Sequence, residues 1–196
     1  MNIVLLSELD ERYADQAMDV FVDSFYGMFS KMIDKDKTVL HELFLHSFDR
    51  SMVYVCLKED RVVGFLALGN AQRRPLHAPL QLCRKLFGRL KGSGMHWGLG
   101  TLRKPVVKGA HEGHIDHLAT AADCRGQGIA SSLIGHLCAS LPYRSYTLEV
   151  LSKNTNARRL YERLGFRQIA AHFNPATSVY GFGRPLVMKL DLPPRS

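Results

Sequence analysis

No apolar run in this chain approaches the roughly 20 residues that a membrane-crossing helix needs. The first residues also lack the basic, apolar and small-residue order of a secretory leader. A cytoplasmic protein with no membrane partner is therefore expected. The four cysteines, Cys56, Cys83, Cys124 and Cys138, show no paired metal-ligand spacing. They read as small apolar fillers in a reducing compartment, with Cys124 in an exposed loop. Repeats, heptad arrays and low-complexity tracts are missing, which excludes solenoid and fibrous architectures. Acidic residues are outnumbered: Lys+Arg 26 against Asp+Glu 18 leaves a formal charge of +8. That balance favours an anionic partner. The basic residues are dispersed, however, and no helix-turn-helix or RNA-binding signature accompanies them, so nucleic acid is not expected.

What is present describes an ordinary globular chain of 196 residues, 46% hydrophobic and 22% charged. One domain spanning residues 1–196 is expected, with an insertion at about 70–110. Asn2 to Leu6 reads as a strand, and Ala17, Val20, Phe21, Phe25 and Met28 recur at helical spacing after it. A second helix carries Val39, Leu40, Leu43 and Phe44 and ends near Asp49. Met52 to Leu57 and Arg61 to Leu68 form a hairpin around Lys58-Glu59-Asp60. Within the insertion, Leu80, Cys83, Leu86, Phe87 and Leu90 make a basic-backed apolar stripe that packs on its own domain, followed by a glycine-rich piece from Gly92 to Gly100. Strands at His114 to Thr120 and Tyr146 to Leu151 are each followed by a helix, the second ending at Gly165. Two final strands, Phe166 to Ala170 and Pro185 to Leu192, flank an aromatic loop. The result is a mixed α/β sheet.

The first of those strand-to-helix junctions carries Arg125-Gly126-Gln127-Gly128. Two glycines let backbone N–H groups approach a phosphate, and the helix adds unpaired N–H groups and its positive dipole end. A nucleoside-triphosphate loop would require Gly-Lys-Ser/Thr, but Ile129-Ala130 follow Gly128. A dinucleotide turn is harder to set aside, since Glu149 ends the next strand at a suitable distance. Yet Ser131 stands where the third small residue belongs, and Ala121 to Arg125 separate strand from glycine.

Leu118-Ala119-Thr120, Arg125-Gly126-Gln127-Gly128-Ile129-Ala130 and then Asn154, Ala157, Leu160-Tyr161 and Leu164-Gly165-Phe166 together closely resemble the GNAT family of acyl-coenzyme A dependent N-acetyltransferases. The two signatures stand in the order that family requires. A proline and an aromatic residue usually precede the arginine there; Ala122 and Cys124 occupy those places. The resemblance implies a GNAT-type mixed, mostly antiparallel sheet of about seven strands with about four helices, splayed between strands four and five. It implies transfer of an acetyl group from acetyl-CoA to a primary amine, by direct attack in a ternary complex, with no metal. The rival implication is a GNAT-like domain that binds coenzyme A without turnover. The acceptor is a small-molecule or peptide amine, and the protein a monomer or homodimer.

The same resemblance implies roles. Leu118, Ala119 and Thr120 lend backbone groups to the pantetheine arm, and the N–H groups of residues 126–130 hold the pyrophosphate, with Arg125 adding charge. Asn154 and Ala157 contact the cofactor arm, or Asn154 simply caps its helix. Tyr161 matches the position that protonates the coenzyme A sulfur. An alkylammonium must also lose a proton before attack. The segment His111 to His117 is dense in ionisable groups, and Glu112, Asp116 and His114, in that order, are the candidate bases. Strand alternation places these three on one face and His117 with Ile115 on the other. Tyr26, Phe29, Trp97 and Tyr180 are candidate acceptor walls.

Overall fold

Glu59 (φ 49°) and Asp60 (φ 64°) turn the chain between β2 (Val53–Lys58) and β3 (Arg61–Gly69), so the hairpin loop is two residues rather than three. The computed structural model in which this turn is seen describes residues 1–100 and 104–194. Before the hairpin come β1 (Asn2–Leu5), α1 (Glu11–Met32) and α2 (Lys37–Leu45); after it come α3 (Leu80–Phe87), α4 (Arg89–Gly100), β4 (Glu112–Thr120) and α5 (Ile129–Ser140). The chain finishes with β5 (Ser145–Leu151), α6 (Thr155–Arg163), β6 (Arg167–Ala171), α7 (Pro175–Val179) and β7 (Pro185–Asp191). One seven-stranded sheet runs β1-β2-β3-β4-β5-β7-β6, antiparallel throughout except for the parallel β4–β5 pair.

The sheet is covered on both faces. Along β3, Phe65 and Ala67 enter a core with Phe21, Leu40 and Phe44 of α1 and α2, while Leu66 and Leu68 enter a second core with Leu133 and Leu137 of α5. Close approach of α5 depends on Gly64, where a Cβ would lie 2.6 Å from Ile129 Cγ2. The shorter α2 begins at Asp36, whose side chain accepts from Thr38 N, and stops at Leu45 rather than near Asp49.

Where about four helices are expected, the described residues form seven, the extra ones being α3 and α4 between β3 and β4 and the short α7. The glycine-rich piece is helical because Gly92 presses directly on α3: a Cβ there would sit 2.3 Å from the Cys83 carbonyl oxygen. Gly88, at φ 78°, ends α3, so Leu90 falls outside the apolar stripe and is fully solvent-facing. Cys83, Leu86 and Phe87 pack on the α1 core as the stripe predicts. Among the described residues, no helix is long and apolar enough to cross a membrane.

A register shift in the β3–β4 ladder matters most for the site. Ala67 faces His117 and Leu68 faces Ile115, leaving Asp116 as the extra residue of a bulge. The expected alternation therefore fails: His117 packs edge-on against Phe21, Phe25 and Phe48 on the α1 face, whereas Ile115 belongs to the α5 core.

Candidate active site

Parallel pairing of β4 with β5 runs from Glu112↔Ser145 to Ile115↔Leu148 and stops there. Beyond that point β4 continues against β3 and β5 against β7, so the two strands part. The N–H and C=O groups of residues 116–120 that turn away from β3 face the gap without a strand partner. A cleft of about 1120 Å³ opens along this line. Its walls include Phe25, Met28 and Phe29 of α1, Met95 and Leu99 of α4, Asp116, His117 and Leu118 of β4, Glu149 of β5, and Lys153, Asn154, Ala157 and Tyr161 around α6.

At the end of β4 the chain passes through a 3-10 turn, Ala122–Cys124, into the glycine loop. Gly126 and Gly128 hold φ of 77° and 81°, values that a side chain would strain, and the space above both is open. The first N–H of this stretch to find a backbone carbonyl is that of Ser132, on Gly128 O at 2.9 Å. The donors of residues 126–130 are thus unpaired among the described residues, a donor set suited to a pyrophosphate. Arg125 folds back to donate to Thr120 O at 3.4 Å, and Gln127 donates to Asp123 O at 3.3 Å. Ile129 anchors the helix start in the α5 core, and Ala130 is half-buried. Ala119 lies in the α1 core. Cys124 is buried, 3.5 Å from Arg61 Nη2, not exposed as expected.

Asn154 caps α6 by accepting from Ala157 N at 3.2 Å while also lining the cleft. Gly165, at φ 91°, ends the helix, and Phe166 N donates to Tyr161 O. Tyr161 is buried against Phe166, and its hydroxyl has no protein partner among the described residues. Burial pushes that phenol up to about 12, so it keeps its proton across the neutral range.

The candidate bases separate in space. Glu112 accepts from Gly109 N at 3.0 Å and stands 3.8 Å from Lys189; His114 meets Thr147 Oγ1 at 2.9 Å. Neither lines the cleft, whereas Asp116 does. Arg74 donates to Asp116 Oδ1 through Nε at 2.6 Å and through Nη2. Asp116 Oδ2 has no partner among the described residues and lies close to Gly69. Burial pushes the Asp116 carboxyl up to about 6 although Arg74 pulls it down. The ionisable groups of this segment are engaged individually, and no metal-holding cluster is found among the described residues.

Glu149 stands out in the sequence only as a possible dinucleotide marker, and the fold brings it into the cleft. It is 43% exposed at its side chain, lines the cleft and stands 3.6 Å from His172 Nε2. Its signal lay in alternation: Tyr146, Leu148 and Val150 enter the α5 core, so Thr147 and Glu149 must face the other way. Of the aromatic wall candidates, Phe29 lines the cleft; Tyr26 donates instead to Lys35 O, and Trp97 and Tyr180 are exposed.

His114 and His117 are held neutral, burial lowering both to about 3. The unfolded chain takes their two protons as pH falls below about 6.5, while native Asp116 retains one proton up to about 6 that unfolded aspartate has released. Two against one makes these groups acid-labile, costing stability as pH falls from about 6 to about 4. His117 Nδ1 has no partner among the described residues, so His117→Leu removes an unsatisfied buried atom and one of those protons. Urea unfolding across that range is expected to show the variant gaining on the parent by about 1.4 kcal/mol per pH unit of acidification; a constant difference would contradict this.

A parallel strand pair that parts halfway over a cleft lined by a buried tyrosine, with a loop of free N–H groups at the end of its first strand, is the arrangement of an acyltransferase. More narrowly, the chain belongs to the acetyltransferase (GNAT) family, whose model matches residues 14–166. A 5-NmdU N-acetyltransferase of Pseudomonas phage PaMx11 is 39% identical over 49 residues, which are 25% of this chain and 35% of the phage protein. An N-acetyltransferase from Staphylococcus aureus Mu50 shares 18% identity at a TM-score of 0.60, covering 97% of this chain and 100% of that one. The structure of histone acetyltransferase HPA2 and related acetyltransferase from Corynebacterium glutamicum ATCC 13032 shares 19% identity at a TM-score of 0.59, covering 100% and 97%. At these identities the solved structures speak for the fold.

Proposed function

We propose that residues 1–196 form one cytoplasmic domain that transfers an acetyl group from acetyl-CoA to a primary amine by direct attack within the β4–β5 cleft. The observation that carries this reading is the parting of β4 and β5: backbone groups of residues 116–118 that turn away from β3 face a cleft lined by the protonated Tyr161, and β4 then runs on into the free N–H donors of 126–130. That donor set fits a pyrophosphate followed by an amide-bearing arm. When bound, acetyl-CoA supplies a thioester whose C–S bond breaks as the C–N bond of the product amide forms.

The chain's own groups manage the protons. Glu149, accessible in the cleft, takes one from the incoming ammonium directly or through water. Tyr161 donates its phenolic proton to the departing sulfur and is restored by the proton that the acylated nitrogen releases. The Arg74–Asp116 pair fixes the bulged backbone beside the reacting atoms. Glu112 and His114 support the far end of β4 through Gly109, Lys189 and Thr147.

Release of coenzyme A thiol across an amine library, against a no-acceptor control, tests the reading. Gly128→Val is expected to weaken acetyl-CoA binding at least tenfold, because β-branched residues resist the φ of 81° and crowd the N–H groups. Tight acetyl-CoA binding without thiol release for any amine would leave a coenzyme A binding module in place of the enzyme.

A further inference from the structure

The cleft is chemically lopsided. Its charged walls, Arg74, Asp116, Glu149 and Lys153, all come from the sheet and the segments that adjoin it; among the described residues, α1 and α4 contribute none. Those helices, with the segment before α3, instead present Phe25, Met28, Met32, Leu76, Met95 and Leu99. Five of these six are only partly buried: Phe25, Met28, Met95 and Leu99 pack on the α1 core and leave the rest of their apolar surface to the cleft. Three methionines in one wall make it deformable, suited to apolar shapes that vary in outline. Arg74 and Asp116 neutralise one another, which leaves Glu149 as an acidic group without a lysine or arginine partner among the described residues.

Building on the acetyl-transfer reading, we infer that the acceptor is a primary amine carrying an alkyl or aryl group of several carbons. Its nitrogen lies toward Glu149 and its apolar body in the chamber between α1 and α4. A polyamine would bring a second cation into a wall with nothing to receive it, in a cleft where Lys153 already adjoins Glu149. A short amine would leave the methionine wall wet.

The test measures thiol release with acetyl-CoA and the full chain for methylamine through n-hexylamine, phenethylamine, spermidine and lysine. The kcat/KM is expected to climb about threefold to fourfold per methylene that enters the chamber, with spermidine and lysine at or below methylamine. Met95→Gln should flatten that climb, and calorimetric acetyl-CoA binding serves as the folding control. Because Met95 sits on an inserted helix, Met28→Gln on α1 gives an independent version. A preference for spermidine or lysine overturns the inference while acetyl transfer stands. So does a gain that follows the acyl chain, hexanoyl-CoA over acetyl-CoA with methylamine, in place of the amine. No turnover with any amine overturns both this inference and the reading beneath it.

Discussion

Tyr161→Phe is expected to lower kcat by about 10²-fold or more while acetyl-CoA affinity stays within about twofold. The ring lies buried against Phe166 and fills its place by shape, so phenylalanine preserves the packing and deletes the hydroxyl alone. Among the described residues that hydroxyl bonds no protein group, so no structural hydrogen bond is lost with it. With the phenol raised to about 12, its proton is present at every working pH, and the alkaline limb of the rate profile belongs to another group. Steady-state kinetics paired with calorimetry decides the matter: unchanged kcat removes Tyr161 from proton transfer, and a parallel loss of binding assigns it to the cofactor wall.

Arg74→Met should cost about 3 kcal/mol of stability at pH 7. The side chains of Arg74 and Asp116 are only 12% and 2% exposed, so removing the cation strands a carboxylate in the protein interior. The sign with pH follows from the carboxyl itself. At about 6 in the intact pair, it rises further without Arg74, so below that value both proteins hold Asp116 neutral. The deficit therefore shrinks as pH falls from 7 to about 5. Urea unfolding at both values measures it, and a deficit independent of pH would mean that Arg74 acts through packing instead of charge.

What the sequence made legible was local chemistry with short-range rules. The glycine loop, the Asn154 cap, the Gly165 stop and the 59–60 turn each depend on a few neighbouring residues, and each appears where its residues stand. The bulge at Asp116 left no such mark, because a one-residue slip in a ladder is decided by the partner strand. That slip moved His117 into a phenylalanine cluster and Asp116 onto Arg74, which lies beyond the end of β3 and 42 residues away in sequence. Gly92 misled in another way. A glycine-rich stretch reads as loop until the neighbouring helix is known, and here the missing side chain is what lets two helices touch. Glu149 was visible in principle as a charge in an apolar strand, but the importance of its face emerged only with the parting of β4 and β5.

That parting has a mechanical side. Four residue pairs, Glu112↔Ser145 to Ile115↔Leu148, join a half-sheet of β1 to β4 to one of β5 to β7, reinforced by Tyr146, whose hydroxyl donates to Leu137 O at 2.7 Å. The cleft has lining on both sides of this short seam. α1 rides on β3 and β4, while Gly181, Phe182 and Pro185 lead into β7. A twist about the seam would move these walls against one another, so the width of the cleft is governed by the same few rungs whose end opens it.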